Sequence, residues 1–191
     1  MAETATPGNQ VDIAEIRQVR AEAECLFTQA QVDAAIDEMA VAIRAKLAEK
    51  NPLVLAVLVG GMVPAGLLLP KLDFPLKVDY IHATRYRGET SGSELHWIKA
   101  PGDLTGREVL IIDDILDQGL TLAAIVEACY QRGAAKVWTA VLADKQVPRK
   151  GDLLHADFTG VTIPDRYVFG GGMDYKNYLR DAPGIFAVKG L

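Results

Sequence analysis

Cysteine is scarce in this chain, and its two cysteines, Cys25 and Cys129, are far apart and match no CxxC or Cys/His spacing. This argues against a zinc site and a disulfide framework alike, and favours a reducing, cytoplasmic setting. No apolar run approaches the roughly 20 residues that a membrane-spanning helix needs. The first residues also lack the basic start of a secretory signal. Membrane and export roles are therefore not expected.

Positive charge is also in deficit, with 20 Lys and Arg against 25 Asp and Glu and a formal net charge of -5. This balance disfavours broad electrostatic binding to a nucleic-acid backbone, so an anionic ligand must be held by local devices. The chain has 191 residues, of which 50% are hydrophobic. A compact chain of this length buries roughly 70% of its unfolded surface, which favours one domain over residues 1–191 without disulfide or metal support.

Helical patterns and a buried strand alternate in the first third of the chain. Residues 1–10 are small and polar and predict a disordered start. Apolar residues recur at helical spacing over 11–23 and more strongly over 32–47. Residues 53–59 are continuously apolar, which predicts a strand buried on both faces.

The next segments are more polar. Pro64 suits the first turn of a helix that we expect to end near Leu69, before Pro70. Alternation over residues 76–83 predicts a partly exposed strand. Residues 85–94 are polar, rich in glycine and poor in apolar anchors, and predict a mobile loop.

A strand, a helix and a second strand follow one another in the middle of the chain. Residues 109–112 form a buried apolar run, a helical pattern covers 120–132, and Gly133 fits the C-terminal cap. The next strand is predicted at 136–143. This βαβ order predicts an α/β fold with a parallel sheet.

The most informative stretch is VLIIDDILDQGLT, residues 109–121. An apolar strand ends in two adjacent carboxylates, Asp113 and Asp114, and then turns through a small-residue loop into a helix. Ligands of α/β sheets bind in the crevice at the carboxyl ends of the strands. Backbone NH groups of the turn and the helix N-terminus can surround a phosphate without lysine or arginine. An acidic protein can bind an anion in this way.

The three acids of this stretch suggest separate tasks. We expect Asp113 and Asp114 to point to opposite sides and to reach a sugar diol or a hydrated Mg²⁺ rather than one another. Asp117 is expected to face the base attached to that sugar and to receive or return a proton. An isolated Asp-Asp pair is more often a solvated loop start or a helix cap, but the full pattern with a third acid, Gly and Thr favours a functional site.

The same stretch resembles the 5-phospho-α-D-ribose 1-diphosphate (PRPP) signature of the purine phosphoribosyltransferases, most closely those that use hypoxanthine and guanine. Further segments fall in the family order: LVGG at 58–61, Lys145 after a strand, and IPDRYVFGGGMDYKNYLRD at 163–181. The resemblance spans about residues 53–190. It implies a type I core, with helices on both faces of the parallel sheet, and a small hood from the N- and C-terminal segments.

The resemblance implies binding residues for each part of the substrates. The 5-phosphate and ribose would be held by Asp113, Asp114, Asp117, Gln118, Gly119, Leu120 and Thr121. The diphosphate would be held by Arg180 and by backbone amides of Val59, Gly60 and Gly61, whose loop in the family can contain a non-proline cis peptide. Lys145 would donate to the purine 6-oxo group, Tyr167 would stack on the base, and Val168 would present backbone groups to its edge.

Metal binding and loop closure are implied in the same way. Asp174 matches the family's acidic ligand for the Mg²⁺ that bridges the diphosphate, at the base end of the site, with Asp113 and Asp114 as further candidate ligands. Arg85 and Tyr86 lie in the loop that would close over the site and exclude water.

Three positions depart from the family pattern. Val59 replaces a lysine common in eukaryotic members, Gln118 replaces a small residue, and Leu120 replaces a polar or basic one. These changes alter side-chain contacts but leave backbone donors intact. They therefore bear on affinity more than on reaction class.

The implied activity is transfer of the 5-phosphoribosyl group from PRPP to N9 of hypoxanthine or guanine, giving IMP or GMP and diphosphate, with Mg²⁺ as cofactor. The resemblance also implies a homodimer or homotetramer without a nucleic-acid or membrane partner. Two alternatives remain open. One is a preference for xanthine. The other is a regulatory protein that senses PRPP and binds nucleic acid, with Lys145, Arg149 and Lys150 as a small basic foothold.

Overall fold

A computed structural model describes residues 11–85, 95–149 and 155–191. Its helices are α1 (Ile13–Glu22), α2 (Gln29–Leu47), α3 (Met62–Leu72) and α4 (Leu120–Gln131). Its strands are β1 (Glu24–Thr28), β2 (Leu53–Leu58), β3 (Lys77–Arg85), β4 (Leu95–Lys99), β5 (Glu108–Leu116), β6 (Lys136–Lys145), β7 (Phe158–Ile163), β8 (Val168–Phe169) and β9 (Gly184–Ala187).

The strands form two sheets. The larger has six strands in the order β4-β3-β2-β5-β6-β7, and all of its pairs are parallel except β3 with β4. The smaller has three antiparallel strands in the order β1-β9-β8. It joins the N- and C-terminal parts of the chain and forms the hood. The expected mostly parallel α/β fold with a hood is confirmed.

Helix α2 connects the two sheets. The Thr28 and Gln31 side chains form a capping box at its start, which satisfies backbone donors that the first helical turn leaves unpaired. Its apolar face, including Ile36 and Ile43, is fully buried. The same apolar cluster contains residues of the large sheet and, from β9, Ile185 and Ala187. One core therefore extends under both sheets.

Several predicted boundaries need correction. Helix α3 does not end near Leu69. It runs to Leu72 with Pro70 inside it, and Asp73 ends it with a φ of 48°. Proline removes a backbone donor, but in the last turn this affects little of the helix. Strand β5 continues past Ile112 to Leu116, because residues 113–116 pair with β6.

Some expectations fall at the edges of the described ranges. Arg85 is the last residue of β3 and not the start of a loop, because Arg85 pairs with Leu95 of β4. The rest of the predicted loop, including Tyr86, and the predicted disordered start at 1–10 lie outside the described residues. Within the described ranges, no helix is both long and apolar enough to cross a membrane.

Candidate active site

Two cavities adjoin where β5 and β6 end, and Asp114, Ile115 and Asp117 line both. The larger, of about 390 Å³, is lined by ten consecutive residues, 113–122. The smaller, of about 170 Å³, is lined by Asp114, Ile115, Asp117, Lys145, Arg166, Tyr167, Val168, Met173 and Asp174. The predicted phosphate loop and the predicted purine site therefore meet at the carboxyl ends of β5 and β6.

The larger cavity has the backbone geometry of an anion site. Gly119 precedes α4 with a φ of 78°, a conformation that suits glycine because it has no Cβ. The Ala123 amide donates to the Gly119 carbonyl at 2.9 Å. The amides of Leu120 and Thr121, in the first helical turn, have no carbonyl within the helix to bond. Such amides favour a phosphate group. Gln118 lines the same cavity.

Asp113 and Asp114 are closer to each other than the sequence suggested. They lie within β5, Asp113 Oδ1 accepts from the Asp114 amide at 2.9 Å, and the two carboxyl groups interact directly. The expectation that they avoid one another is wrong, because the Asp113 side chain folds back toward the next residue. Burial, and then the neighbouring Asp114 charge, hold the pKa of Asp113 well above its ordinary value. Burial also raises the pKa of Asp114, and the charge of Arg180 opposes that rise.

Two glycines allow segments that are distant in the sequence to approach each other closely in the site. A Cβ on Gly60 would lie 1.9 Å from Asp114 Oδ2, and a Cβ on Gly172 would lie 2.3 Å from the Gly60 carbonyl oxygen. Only glycine fits these two positions. Next to them, the Leu58–Val59 peptide is cis, the Gly61 amide donates to Val57 at 2.8 Å, and the Val59 side chain is 45% exposed.

Arg180 lies between two of the predicted ligand-binding acids. Its guanidinium is 2.6 Å from Asp174 Oδ1 and 3.6 Å from Asp114 Oδ2, and it also donates to the Gly172 carbonyl at 2.7 Å. Among the described residues, no group of three or more His, Cys, Asp or Glu side chains is placed to hold a metal. Mg²⁺ is commonly bound by one or two carboxylates together with substrate phosphates and water, so the carboxylate of Asp174, or those of the adjacent Asp113 and Asp114, are ligands of the right kind for it.

The smaller cavity brings a cation and an acid together. Lys145 Nζ lies 3.7 Å from Asp117 Oδ2 and 3.4 Å from Asp165 Oδ1. The other Asp117 oxygen, Oδ1, is buried and has no hydrogen-bond partner in the part of the chain that the structure describes. A buried unpaired acceptor is costly unless a ligand supplies a donor. Asp117 therefore has the capacity to accept from a ligand in this cavity.

Aromatic and backbone groups close the other side of this cavity. The Tyr167 ring is 43% exposed and meets the Tyr175 ring edge to face, with centroids 5.6 Å apart. Val168 is buried and pairs with Ala187 in the hood sheet. The hood thus places one flat ring and one stretch of backbone at the cavity.

Sequence reasoning missed several residues of the site. Asp165 and Arg166 lie in the quoted segment 163–181, but no local pattern pointed to their contact with Lys145 or the cavity. Arg149, which the regulatory alternative places in a small basic foothold, has a buried side chain with an exposure of 6%. Its local sequence is polar and gives no signal of burial.

Comparison with known proteins gives the class first. The model of the phosphoribosyl transferase domain matches residues 24–177, so this chain belongs to the phosphoribosyl transferase family. Hypoxanthine-guanine-xanthine phosphoribosyltransferase of Tritrichomonas foetus is 32% identical over 86% of this chain and 90% of its own length. Hypoxanthine-guanine phosphoribosyltransferase of Bacillus subtilis is 32% identical over 86% of this chain and 92% of its own.

Solved structures agree with this assignment. A hypoxanthine phosphoribosyltransferase from Staphylococcus aureus superposes with a TM-score of 0.83 at 27% identity, covering 94% of this chain and 97% of its own. The predicted family and its type of fold are confirmed.

Proposed function

We propose that this chain is a purine-salvage enzyme that transfers the 5-phosphoribosyl group of PRPP to N9 of hypoxanthine or guanine, giving IMP or GMP and diphosphate. The observation that carries the proposal is the junction of two cavities through Asp117, one lined by the phosphate loop and the other by Lys145. The names of the relatives support the same reaction.

The larger cavity holds the ribose 5-phosphate in this proposal. Backbone amides of residues 117–121 surround the phosphate, so the acidic chain needs no lysine there. Asp113 and Asp114 accept hydrogen bonds from the ribose hydroxyls, which fixes C1 of the sugar. Positioning of this kind accounts for a large part of the acceleration in such displacements.

The smaller cavity holds the purine. Lys145 carries only donors, so it favours a 6-oxo group over the 6-amino group of adenine. Asp117 faces N7 of the same base, and its carboxylate accepts the N7 proton as N9 attacks C1. This role is consistent with its Oδ1, which has no hydrogen-bond partner among the described residues. Tyr167 stacks on the base, and backbone groups of Val168 meet its edge.

The displacement breaks the bond between C1 and the diphosphate oxygen and forms the bond between C1 and N9. Bond breaking leads, which gives the sugar oxocarbenium character, as in glycoside hydrolysis. Arg180 and the backbone amides of Val59, Gly60 and Gly61 hold the diphosphate. Bound Mg²⁺, held by Asp174 with Asp113 and Asp114 nearby, would neutralise charge on that leaving group.

The wider assignments are also part of this proposal. Residues 1–191 act as one domain, and the enzyme works in the cytoplasm as a homodimer or homotetramer. Nucleic-acid regulation is not favoured, because Arg149 of the supposed basic foothold is buried against Asp144. Its position removes that cation from the surface that a nucleic acid would contact.

A panel of acceptors tests the proposal. The full chain is incubated with PRPP and Mg²⁺ and, separately, with hypoxanthine, guanine, xanthine, adenine, uracil and orotate, and nucleotide formation is followed spectrophotometrically. We expect turnover with hypoxanthine or guanine and none with adenine, uracil or orotate. Turnover with xanthine alone would favour the xanthine alternative, which the name of the T. foetus relative keeps open. Absence of turnover with every purine would contradict the proposal.

A further inference from the structure

The buried guanidinium of Arg149 donates hydrogen bonds to backbone carbonyls at the ends of two strands. Its Nε donates to the Asp117 carbonyl at 2.6 Å. Its Nη2 donates to the Leu116 carbonyl at 2.7 Å and to the Lys145 carbonyl at 2.6 Å. The same nitrogen pairs with the carboxylate of Asp144, which is itself buried.

These contacts lie where β5 and β6 separate. Leu116 and Asp144 form the last matched pair of the two strands. Past that pair, one strand leads into the phosphate loop through Asp117, and the other ends at Lys145. A planar guanidinium with several donors in a fixed arrangement can bond carbonyls of both strands at once, whereas an ammonium group is a compact point charge. The guanidinium therefore links the two strands past their last matched pair.

We propose that Arg149 is a positioning residue that fixes Asp117 and Lys145 relative to each other before a purine binds. The inference rests on the roles proposed above for those two residues. Arg149 contacts their backbone carbonyls and is not itself among the residues that line the two cavities, so it acts through Asp117 and Lys145. Pairing with Asp144 compensates the charge of the buried guanidinium. Arg149 can therefore remain buried and hold the two strand ends in place.

Position matters here because Lys145 and Asp117 must meet two polar groups on the same edge of one purine, the 6-oxo oxygen and N7. A misplacement of about 1 Å at a reacting site costs on the order of 10²-fold in rate. Loss of the guanidinium frees the carbonyls of both strands and lets the 3.7 Å separation of Lys145 Nζ and Asp117 Oδ2 change. The effect is therefore expected in the purine half of the reaction.

The test uses Arg149→Lys in the full chain, with Arg107→Lys as the matched control. Arg107 also donates to a backbone carbonyl, that of Asn51, at the opposite ends of the strands. We expect Arg149→Lys to lower kcat/KM for hypoxanthine by about 10²-fold, and Arg107→Lys to stay within about threefold of the parent. Equal, small effects of the two substitutions would overturn the proposal.

A double substitution separates positioning from general weakening of the fold. If Arg149 acts through Lys145, Arg149→Lys in a Lys145→Met background should lower kcat/KM for hypoxanthine much less than it does in the parent. If the double variant loses kcat/KM by the product of the two single-variant losses, the positioning role is overturned. An unchanged kcat/KM in Lys145→Met alone would instead overturn the proposed purine role of Lys145.

Asp144→Asn supplies a second variant should Arg149→Lys not fold. It removes the charge partner that holds the guanidinium while leaving the carbonyl contacts available. We expect a fall in kcat/KM for hypoxanthine in the same direction. An unchanged value would contradict the proposal.

Discussion

Lys145 Nζ lies 3.7 Å from Asp117 Oδ2, and this pair joins the phosphate-loop cavity to the cavity assigned to the purine. The lysine comes from the end of β6 and the aspartate from the loop after β5, neighbouring strands of the large sheet. Their side chains present a donor and an acceptor side by side. An oxopurine presents the complementary pair at its 6-oxo group and N7.

Replacing Lys145 by methionine should weaken binding of the purine and leave binding of PRPP nearly unchanged. A hydrogen bond from a charged donor contributes about 1.5–3 kcal/mol, so we expect KM for hypoxanthine to rise about 10- to 10²-fold. KM for PRPP should stay within about threefold. Lys189→Met is the control, because the Lys189 side chain is 73% exposed and pairs with Glu22 at the end of α1. Steady-state kinetics with each substrate varied in turn check this prediction, and an equal rise in both KM values would contradict the assignment.

Two glycine substitutions should have opposite effects on stability. A Cβ at Gly60 would lie 1.9 Å from Asp114 Oδ2, whereas a Cβ at Gly66 in α3 meets nothing within 4 Å. We expect Gly60→Ala to lower the free energy of unfolding by about 1–3 kcal/mol through overpacking and to raise KM for PRPP. Gly66→Ala should raise the free energy of unfolding by about 0.5–1 kcal/mol. Denaturant unfolding of both variants checks this, and a stable Gly60→Ala with parental KM would refute the close approach.

The raised pKa of Asp113 predicts a pH dependence of stability. Burial and the Asp114 charge raise the pKa of Asp113 in the folded state. Its stabilising contribution is therefore complete below the unfolded value of about 3.9 and is lost as pH rises through the folded value. Without Mg²⁺ and PRPP, Asp113→Asn should be more stable than the parent at neutral pH, with a Tm higher by about 2–4 °C, and should lose this advantage in acid.

In the control for that measurement, the pKa shift and its effect on stability have the opposite sign. Hydrogen bonds from Thr105 lower the pKa of the surface residue Asp103, so Asp103 stabilises the fold above its unfolded pKa and not below it. Asp103→Asn should lower the Tm slightly at neutral pH. A lower Tm for Asp113→Asn at neutral pH would show that the carboxylate pair is not a source of instability.

Asp174→Asn tests the metal assignment. Asp174 pairs with Arg180 at 2.6 Å, and the amide side chain would be a weaker ligand for a hard cation. We expect the Mg²⁺ concentration for half-maximal activity to rise at least about tenfold, with Asp181→Asn as the surface control. An unchanged Mg²⁺ requirement would remove Asp174 from the set of ligands.

Local apolar patterns were enough to find the central strands and α2. The run at 109–112 predicts β5, yet the strand continues through Asp113 and Asp114. Two acids in sequence suggest a loop, but pairing with β6 overrides that preference, since Asp113 lies opposite Val141 and Leu116 opposite Asp144. Strand β1 was not predicted either, because it pairs with β9, at the other end of the chain.

Residues of the site could be predicted from the sequence only where they belong to a recognisable motif. The phosphate loop and Lys145 were identified through motif and family order. Asp165 and Arg149 carry no such signal, because each is an ordinary polar residue until the strands bring it to Lys145. Contacts across strand ends depend on register, which the local sequence does not specify.

The most direct test of the account is single-turnover formation of IMP from PRPP and hypoxanthine by Asp117→Asn, with Asp165→Asn as the matched control on the other side of Lys145. Because Asp117 is assigned the proton at purine N7, its loss should slow the chemical step by about 10²- to 10⁴-fold, and the control should stay within about tenfold of the parent. A rate for Asp117→Asn within about threefold of the parent would contradict the assigned role.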